Sequence, residues 1–286
     1  MDERAHQVTE PDRDLSVHLW SARAGREAPA RAPHVAEIVA DRLRDRILDG
    51  ELNDGDELPK QEELLEEFGV SRPSVREALR ILEAEGLVSV RRGKRGGAVV
   101  HPPKATNVAY TLGLVLRAGN VEVDDISEGL HLIEPLCAAL CASRSDRATA
   151  VVPRLREVHE EAKRCIDEPA AFTVASRRFH EELVACCGNQ TLIVVVGALE
   201  SVWSGHAEAW AQQHLAEHRF PDRLYRQNGL DDHEMLLRLI ERGEAEATAR
   251  EARRHLEWAP VYSIDEENQI MPGLIGSRSS PSRLRR

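Results

Sequence analysis

The chain has 286 residues and a formal net charge of −11, from 49 acidic and 38 basic side chains. This length leaves room for two domains that each bury a core. No apolar run approaches the roughly 20 residues that span a bilayer, and the charged N-terminus lacks a signal-peptide core. We therefore expect a cytoplasmic protein without a membrane partner. The five cysteines lack zinc-finger spacing, so we expect small core residues in a reducing compartment.

The chain begins with a polar segment, residues 1–32, which has no apolar period and is predicted to be a disordered arm. The following residues, Val35 to Leu48, predict a helix that ends at Gly50. The apolar side chains that form its predicted stripe are Val35, Ile38, Val39, Leu43 and Ile47.

Residues 61–87 predict two short helices joined by a tight turn. Gly69 stands where the first helix needs a left-handed residue to end, and the Ser71 hydroxyl can cap the second helix. Pro73 falls in the first turn, where its missing N–H is tolerated. The side chains predicted to form the buried stripe of the second helix are Val75, Ala78, Leu79 and Leu82.

Arg72, Arg76 and Arg80 recur every four residues on another face of this second helix. An α-helix fits the major groove of B-DNA, and its N-terminal residues meet base edges and phosphates. We therefore expect Arg72, Ser74 and Arg76 to be the principal contacts. For three arginines alone, an amphipathic helix whose arginines face solvent is the favoured interpretation, and the next segment shifts it towards DNA binding.

Two short strands are predicted next, at Leu87–Val90 and Ala98–Val100, with the glycine-rich segment RRGKRGG between them. Four of the five residues from Arg91 to Arg95 are basic. A basic hairpin beside a helix-turn-helix indicates a winged DNA-binding domain. Residues 69–100 carry seven Arg or Lys against three Glu, and this local charge, rather than the acidic total, governs docking on phosphates.

Residues 35–103 resemble the DNA-binding domain of the GntR superfamily of bacterial transcription regulators. The matching positions are Ile47, Gly50, Gly55, Leu58-Pro59, Glu63-Leu64, Gly69 to Arg72, Val75 to Leu79, Leu82, Glu85 to Leu87 and Gly93. The resemblance implies DNA contacts from the recognition helix and from the wing around Arg92-Gly93. The full candidate set is Ser71, Arg72, Ser74, Arg76, Arg80, Arg91, Arg92, Gly93 and Lys94. One departure is Glu62, which stands where relatives often place an arginine that contacts DNA.

After a boundary at His101-Pro102-Pro103, strand signals stop and the pattern is helical to about Pro260. The predicted helices are Ala105–Ala118, Val123–Ala142, Asp146–Ile166, Pro169–Cys187, Gln190–Glu217, Leu230–Arg242 and Glu244–Trp258. Short loops between amphipathic helices are typical of an antiparallel bundle. The predicted fold is mainly α: a winged helix-turn-helix domain (33–103), an all-α antiparallel bundle (104–262), and a disordered tail (263–286).

His180, His233 and His255 lie on three different predicted helices, each on the apolar face. Three imidazoles that converge in a bundle core suit one divalent transition metal such as zinc, nickel or manganese. Three protein ligands would leave coordination positions open for water or a carboxylate. The alternative is that all three are hydrogen-bonded core histidines.

Residues 105–260 resemble the FCD effector domain of the FadR branch of the same superfamily. The matching segments are Ile133-Glu134-Pro135, Ala138 to Leu140, Phe179 to Leu183, Gly188 to Leu192, His233 and Arg254 to Leu256. The resemblance implies a metal held by an aspartate and three histidines, at the positions of Ser176, His180, His233 and His255. This set is also the candidate effector site. Ser176 replaces the aspartate, and Leu130 replaces a common arginine, so a metal-free pocket for an organic ligand remains the alternative.

Other candidate sites are weaker. His206, His214 and His218 lie near Trp203 and Trp210, and we expect them on helix surfaces. Cys137 and Cys141, four residues apart, are expected to serve helix packing rather than redox chemistry. The sequence contains no phosphate-binding glycine loop and no nucleophile elbow, so no catalytic residue is assigned.

Together these features predict a DNA-binding transcription regulator and not an enzyme. The resemblance implies that it is a ligand-responsive homodimer, with residues 104–262 as the effector-binding and dimerisation domain. Two winged domains would read the halves of a near-palindromic double-stranded DNA operator. The resemblance implies that a small-molecule effector in the bundle, with a carboxylate as one option, changes operator affinity. The alternatives are a metal-dependent enzyme fused to a DNA-binding module and an architectural protein that binds DNA without a ligand.

Overall fold

The computed structural model describes residues 34–91, 97–217 and 220–258. The predicted N-terminal arm, the tip of the wing and the C-terminal tail lie outside these residues. The chain divides between Lys104 and Ala105 into two compact units. The elements of the first unit are α1 (Val35–Leu48), α2 (Gln61–Phe68), α3 (Arg72–Ala84), β1 (Val88–Arg91) and β2 (Gly97–Val100).

The core of the first unit forms where α1 packs on α3. Leu43, Val75 and Leu82 are completely buried there, as the helical spacing predicts. The predicted α1 stripe is wrong at two positions, because Val35 is 50% and Ile38 is 45% exposed. The buried row instead runs through Ala36, Val39, Ala40, Leu43 and Ile47. These residues follow i, i+4 spacing, which leaves positions 35 and 38 to one side.

The turn between α2 and α3 has the predicted chemistry. Gly69 ends α2 with a φ of 63°, and the Ser71 hydroxyl accepts a hydrogen bond from the Ser74 N–H at the start of α3. At the other end of α2, the Glu63 carboxylate accepts a 2.6 Å hydrogen bond from the Lys60 N–H. This contact lets α2 begin without a serine or threonine cap.

Strands β1 and β2 pair antiparallel, with Val88 opposite Val100 and Arg91 opposite Gly97. The loop before α2 joins their edge, since the Leu58 N–H donates to the Ala98 carbonyl at 2.8 Å. The hairpin is therefore braced on one side by this loop and packs through Val88 and Val100 into the core of the first unit.

The second unit is a helical bundle, and no helix in the described ranges is long and apolar enough to cross a membrane. Its elements are α4 (Ala105–Ala118), α5 (Val123–Ser143), α6 (Arg147–Ala150), α7 (Val152–Arg164), α8 (Pro169–Ala185), α9 (Gln190–Ala216), α10 (Arg223–Arg242) and α11 (Ala245–Trp258). Its core includes the completely buried side chains of Phe179, Leu183, Leu237 and Ile240.

Two helix predictions in the bundle need correction. The helix predicted over Asp146–Ile166 is two helices, because the chain turns at Val151 and Pro153 lies in the first turn of α7. Proline lacks the N–H that a continuous helix would require there. Helix α10 begins at Arg223 rather than Leu230, since the Asp222 side chain accepts a 2.8 Å hydrogen bond from the Tyr225 N–H.

Four of the five cysteines, Cys137, Cys141, Cys186 and Cys187, are buried in the bundle core. Burial raises the pKa of Cys137 to about 12 and that of Cys186 to about 11. Thiols of this kind remain protonated near neutral pH and react poorly. The packing interpretation of Cys137 and Cys141 therefore agrees with the structure.

Candidate functional sites

The exposed face of α3 presents the arginine row that the sequence predicts. The side chains of Arg72 and Arg80 are 64% and 67% exposed. Arg80 pairs with Glu77 on its own helix at 3.2 Å, and Arg72 lies 3.4 Å from Glu62 of α2. Arg76 is exposed and forms no ion pair with any residue that the structure describes. Its guanidinium is therefore available to a phosphate or a base edge.

The remaining DNA-contact candidates divide into two groups. The Ser71 and Ser74 hydroxyl oxygens lie 2.9 Å apart at the N-terminus of α3, where Ser71 also caps the helix. Arg91 ends β1 and lies 3.5 Å from Glu57. The wing candidates Arg92, Gly93 and Lys94 lie outside the described residues.

In the bundle, the three predicted histidines meet at one point. Helices α8, α10 and α11 contribute His180, His233 and His255, and the His233 Nε2 lies 3.3 Å from that of His180 and 3.1 Å from that of His255. Bonds of about 2.0–2.1 Å to zinc, at 90–109° to each other, would separate two nitrogens by about 2.9–3.4 Å. Two of the three nitrogen pairs therefore have the spacing of ligands to one metal ion, and all three ligand nitrogens lie within 4.8 Å of one another.

Two carboxylates orient this histidine cluster, which we define as His180, His233 and His255. Glu134 of α5 lies 2.6 Å from the His180 Nδ1, and Asp232 lies 3.1 Å from the His255 Nδ1. An Nδ1–H that donates to a carboxylate leaves the Nε2 lone pair free, as a metal ligand requires. Arg254 in turn pairs with Asp232 at 2.5 Å.

Burial keeps His180 and His233 of the cluster uncharged. Removal from water, together with neighbouring imidazoles and Arg177, lowers the pKa of His180 and His233 well below the usual range. Neutral imidazoles are the form that binds a metal. The donor set and its protonation therefore fit a divalent transition metal.

A buried network of charges lies behind Glu134. Arg177 of α8 forms an ion pair with Glu200 of α9, and both side chains are almost fully removed from solvent. Burial raises the pKa of Glu134 and Glu200. The network fixes α5, α8 and α9 around the histidine cluster.

Ser176, the fourth position of the predicted site, lines a neighbouring cavity. It lies four residues before His180, or about 6 Å along α8. This cavity is small, with a volume of about 30 Å³. Its walls are Phe172, Thr173, Ser176, Trp210, Phe220, Pro221, Tyr225 and Arg226. Leu130, at the position of the family arginine, is buried and uncharged.

The expectation that His206 and His214 lie on the surface is wrong. They are 2% and 9% exposed, and their rings stack on Trp203 and Trp210 with centroids 6.0 and 4.0 Å apart. The long helix α9 buries this aromatic face inside the bundle, where stacking compensates for lost hydration. His218 lies outside the described residues.

A fourth imidazole, which the sequence prediction did not include, lies beside the cluster. His159 of α7 is completely buried, its ring centroid is 6.3 Å from that of His233, and its Nε2 lies 3.3 Å from the Glu234 carboxylate. The signal was present, because His159 shares an i, i+4 row with the buried Leu155. The same reasoning would have placed Glu134 inside, next to Leu130 on the buried face of α5.

Each of the two units matches a known protein family. Residues 35–100 match the family described as bacterial regulatory proteins of the gntR family, and residues 125–257 match the FCD domain. This chain belongs to the GntR family of bacterial transcription regulators. The GntR regulators that carry an FCD domain pair a DNA-binding helix-turn-helix with a helical effector-binding domain.

Relatives with established names are regulators as well. The chain is 27% identical over 215 residues to the Uxu operon transcriptional regulator of Escherichia coli, covering 75% of this chain and 81% of that protein. It is 32% identical over 184 residues to the uncharacterized HTH-type transcriptional regulator Rv0494 of Mycobacterium tuberculosis, covering 63% and 73%. It is 29% identical over 181 residues to the repressor NanR of Salmonella newport, covering 62% and 68%.

A solved structure shows the same fold. The structure of Streptococcus agalactiae GntR aligns with a TM-score of 0.59 and 21% identity, covering 78% of this chain and 97% of that one. The GntR family and the named relatives are transcription regulators rather than enzymes.

Proposed function

We propose that this GntR regulator binds a near-palindromic operator as a homodimer, and that a small molecule in the bundle changes its affinity for that operator. The recognition surface is the exposed face of α3 with Arg72, Ser74 and Arg76. The observation that carries the proposal is the unpaired, exposed Arg76 in the second turn of a helix whose N-terminus is capped by Ser71.

A recognition helix must meet two structural requirements. A helix that enters the major groove must expose its N-terminal side chains while its opposite face is held by a core. Helix α3 satisfies both conditions, because Val75, Ala78 and Leu82 are completely buried while the arginines project outward. Guanidinium groups bind phosphates and guanine edges in pairs of hydrogen bonds.

A gel-shift titration with operator DNA tests the recognition surface. If Arg72 and Arg76 touch bases, we expect Arg72→Ala and Arg76→Ala each to weaken operator binding by about 1–3 kcal/mol. If they touch phosphates, each change should reduce the slope of log K against log[salt] by about one. Arg42→Ala is the matched control, since Arg42 is exposed on α1 of the same unit. Unchanged operator affinity and salt dependence in both test variants would refute the assigned contacts.

We further propose that the histidine cluster holds one divalent transition metal per chain. His180, His233 and His255 would supply the ligands, with Glu134 and Asp232 holding two of the rings. The bound ion would supply positive charge and open coordination positions to which a carboxylate can bind. Ser176 is neutral and stands where the family resemblance implies an aspartate ligand. We therefore expect the three imidazoles alone to provide the affinity for the metal.

Metal content of untagged protein purified without chelator tests this proposal. We expect about one zinc, nickel or manganese ion per chain in the natural sequence and none in His233→Ala. The control is His131→Ala, which removes a half-buried imidazole on α5 outside the cluster. Absence of metal from the natural protein and from the control would contradict the metal site and favour a metal-free ligand pocket.

A further inference from the structure

His233 of α10 is held differently from the other two members of the histidine cluster. The Nδ1 atoms of His180 and His255 lie 2.6 and 3.1 Å from the carboxylates of Glu134 and Asp232. The Nδ1 of His233 is buried, and it has no hydrogen-bond partner among the residues that the structure describes. A metal-binding histidine usually donates this N–H to a carboxylate, a carbonyl or water, which fixes the ring. The imidazole of His233 therefore depends on a contact of another kind.

The ring of Phe179 supplies a contact that can fix this imidazole. Phe179 lies on α8 immediately before His180, and its side chain is completely buried. Its ring and the His233 imidazole are stacked, with centroids 4.1 Å apart and planes 9° from parallel. An imidazole in flat contact with a closely packed ring cannot turn about its Cβ–Cγ bond without pushing an edge into that ring. Stacking on Phe179 therefore fixes the plane of His233.

The other aromatic neighbours of His233 meet it at steep angles. The interplanar angles are 74° with His180, 69° with His255 and 65° with His159, and the centroids lie 5.1, 4.8 and 6.3 Å away. Edge contacts of this kind do not cover the face of the imidazole. Within the described ranges, Phe179 is the ring that lies parallel to His233.

The plane of His233 determines where its Nε2 points. This atom takes part in both short contacts of the cluster, at 3.3 Å to His180 and 3.1 Å to His255. The terminal torsion of a histidine side chain has a broad energy well, so an unsupported ring would move its Nε2 away from these positions. A metal site needs its ligands within about 0.5 Å of the productive geometry. Support for the plane of His233 is therefore a requirement of the site.

We propose that Phe179 is a positioning residue for His233, and that its stacked ring replaces the carboxylate that holds each of the other two imidazoles. The inference rests on the proposed metal site and extends it to a side chain that has no ligand atom. Removing the flat ring should weaken metal binding although all three ligands remain. It should also change the arrangement of the ligands around the ion.

Titration of the full-length chain with Co²⁺ tests the proposal, because the visible absorption of bound cobalt reports on the geometry of its ligands. Phe179→Leu removes the flat face and leaves an apolar side chain in its place. We expect this variant to bind Co²⁺ about 10- to 100-fold more weakly, which is the usual loss when a residue that holds a ligand is changed. We also expect its cobalt spectrum to differ from that of the natural sequence.

Phe172→Leu is the matched control, because it makes the same change on the same helix. Phe172 precedes Phe179 by seven residues, and it packs in a separate apolar cluster with Ala162 and Leu230. We expect this variant to keep the natural Co²⁺ affinity and spectrum even where its stability falls. The comparison therefore separates the positioning of His233 from a general loss of packing.

Phe179→Met keeps the test decisive if Phe179→Leu does not fold. Methionine fills the space with a flexible apolar chain and presents no flat face, so we expect the same weakening. Phe179→Tyr retains the ring and should retain the natural Co²⁺ affinity. The proposal is overturned if a folded Leu or Met variant keeps the natural affinity and spectrum, if Phe179→Tyr loses as much affinity as Phe179→Met, or if Phe172→Leu weakens binding as much as Phe179→Leu.

Failure of this inference can be distinguished from failure of the proposed function. A natural chain that binds no Co²⁺ would contradict the proposed metal site, and this inference with it. Cobalt binding that does not depend on the ring of Phe179 would overturn this inference alone. The gel shift tests the recognition surface separately from both.

Discussion

Glu62 and Arg72 place opposite charges side by side on the surface that we assign to DNA. Their side chains are 63% and 64% exposed and lie 3.4 Å apart. The Glu62 carboxylate repels phosphates and competes with them for the Arg72 guanidinium. An exposed pair of this kind contributes at most about 1 kcal/mol to stability, so its principal effect falls on DNA affinity.

We therefore predict that Glu62→Gln tightens operator binding. Removing one repulsive charge and releasing Arg72 should raise affinity by roughly 0.5–1 kcal/mol, or about two- to fivefold, with the gain shrinking at high salt. Fluorescence anisotropy at several salt concentrations measures the effect. Glu51→Gln controls for net charge, since Glu51 is exposed and pairs with Arg46. An equal gain in both variants would show that only total charge matters.

At the residue level, the sequence identifies the histidine cluster but not its supporting carboxylates. Helical spacing is enough to place His180 beside Leu183 and Val184 on an inward face. Glu134 contacts His180 across 46 positions of the chain, and such a pairing depends on how helices pack. The role of Phe179 is missed for a similar reason, because the imidazole on which it stacks belongs to another helix.

Among the elements, helix existence is predicted well and helix ends less well. Periodic apolar residues define the buried face over many turns, so each long helix of the bundle is recognised. Ends depend on single local contacts, such as the Asp222 cap that starts α10 seven residues early. Pro153 breaks the helix predicted over Asp146–Ile166, whereas Pro135 is accommodated inside α5. Packing around each proline decides whether the helix breaks or continues, and this packing cannot be read from the sequence alone.

Two glycines of the bundle should respond to alanine in opposite directions. Gly243 ends α10 with a φ of 77°, and an added Cβ would lie 2.7 Å from a side-chain nitrogen of Arg147. Gly243→Ala should therefore lower the free energy of unfolding by about 1–2 kcal/mol. Gly197 lies inside α9, and nothing is within 4 Å of an added Cβ. Gly197→Ala should raise the free energy of unfolding by about 0.5–1 kcal/mol.

Urea denaturation followed by tryptophan fluorescence measures both changes, because Trp203 and Trp210 are buried in the bundle. Each variant is the control for the other, since both add the same methyl group to the same unit. Destabilisation of equal size in both would contradict both expectations, because Gly197 has neither a positive φ nor a neighbour within 4 Å of an added Cβ.

For the molecule as a whole, the two proposed sites belong to different compact units. Helix α3 lies in the unit before Lys104, and the histidine cluster lies in the unit after it. A ligand in the bundle can change operator binding only through different affinities for two states of the protein. Typical couplings of about 1–3 kcal/mol correspond to a change of 5- to 150-fold in affinity. Each unit's fold follows from its own sequence pattern, whereas this coupling does not.

The homodimer gives the last prediction. One recognition helix reads only a few base pairs, and its phosphate contacts alone are not specific for sequence. Two winged domains held in one dimer bind the second half-site at a high effective concentration. We expect DNA with both half-sites to bind at least about tenfold more tightly than DNA with one, with two chains per duplex in sedimentation equilibrium. Scrambling one half-site at constant DNA length is the control. One chain per duplex, or equal affinity for both DNAs, would contradict the dimer.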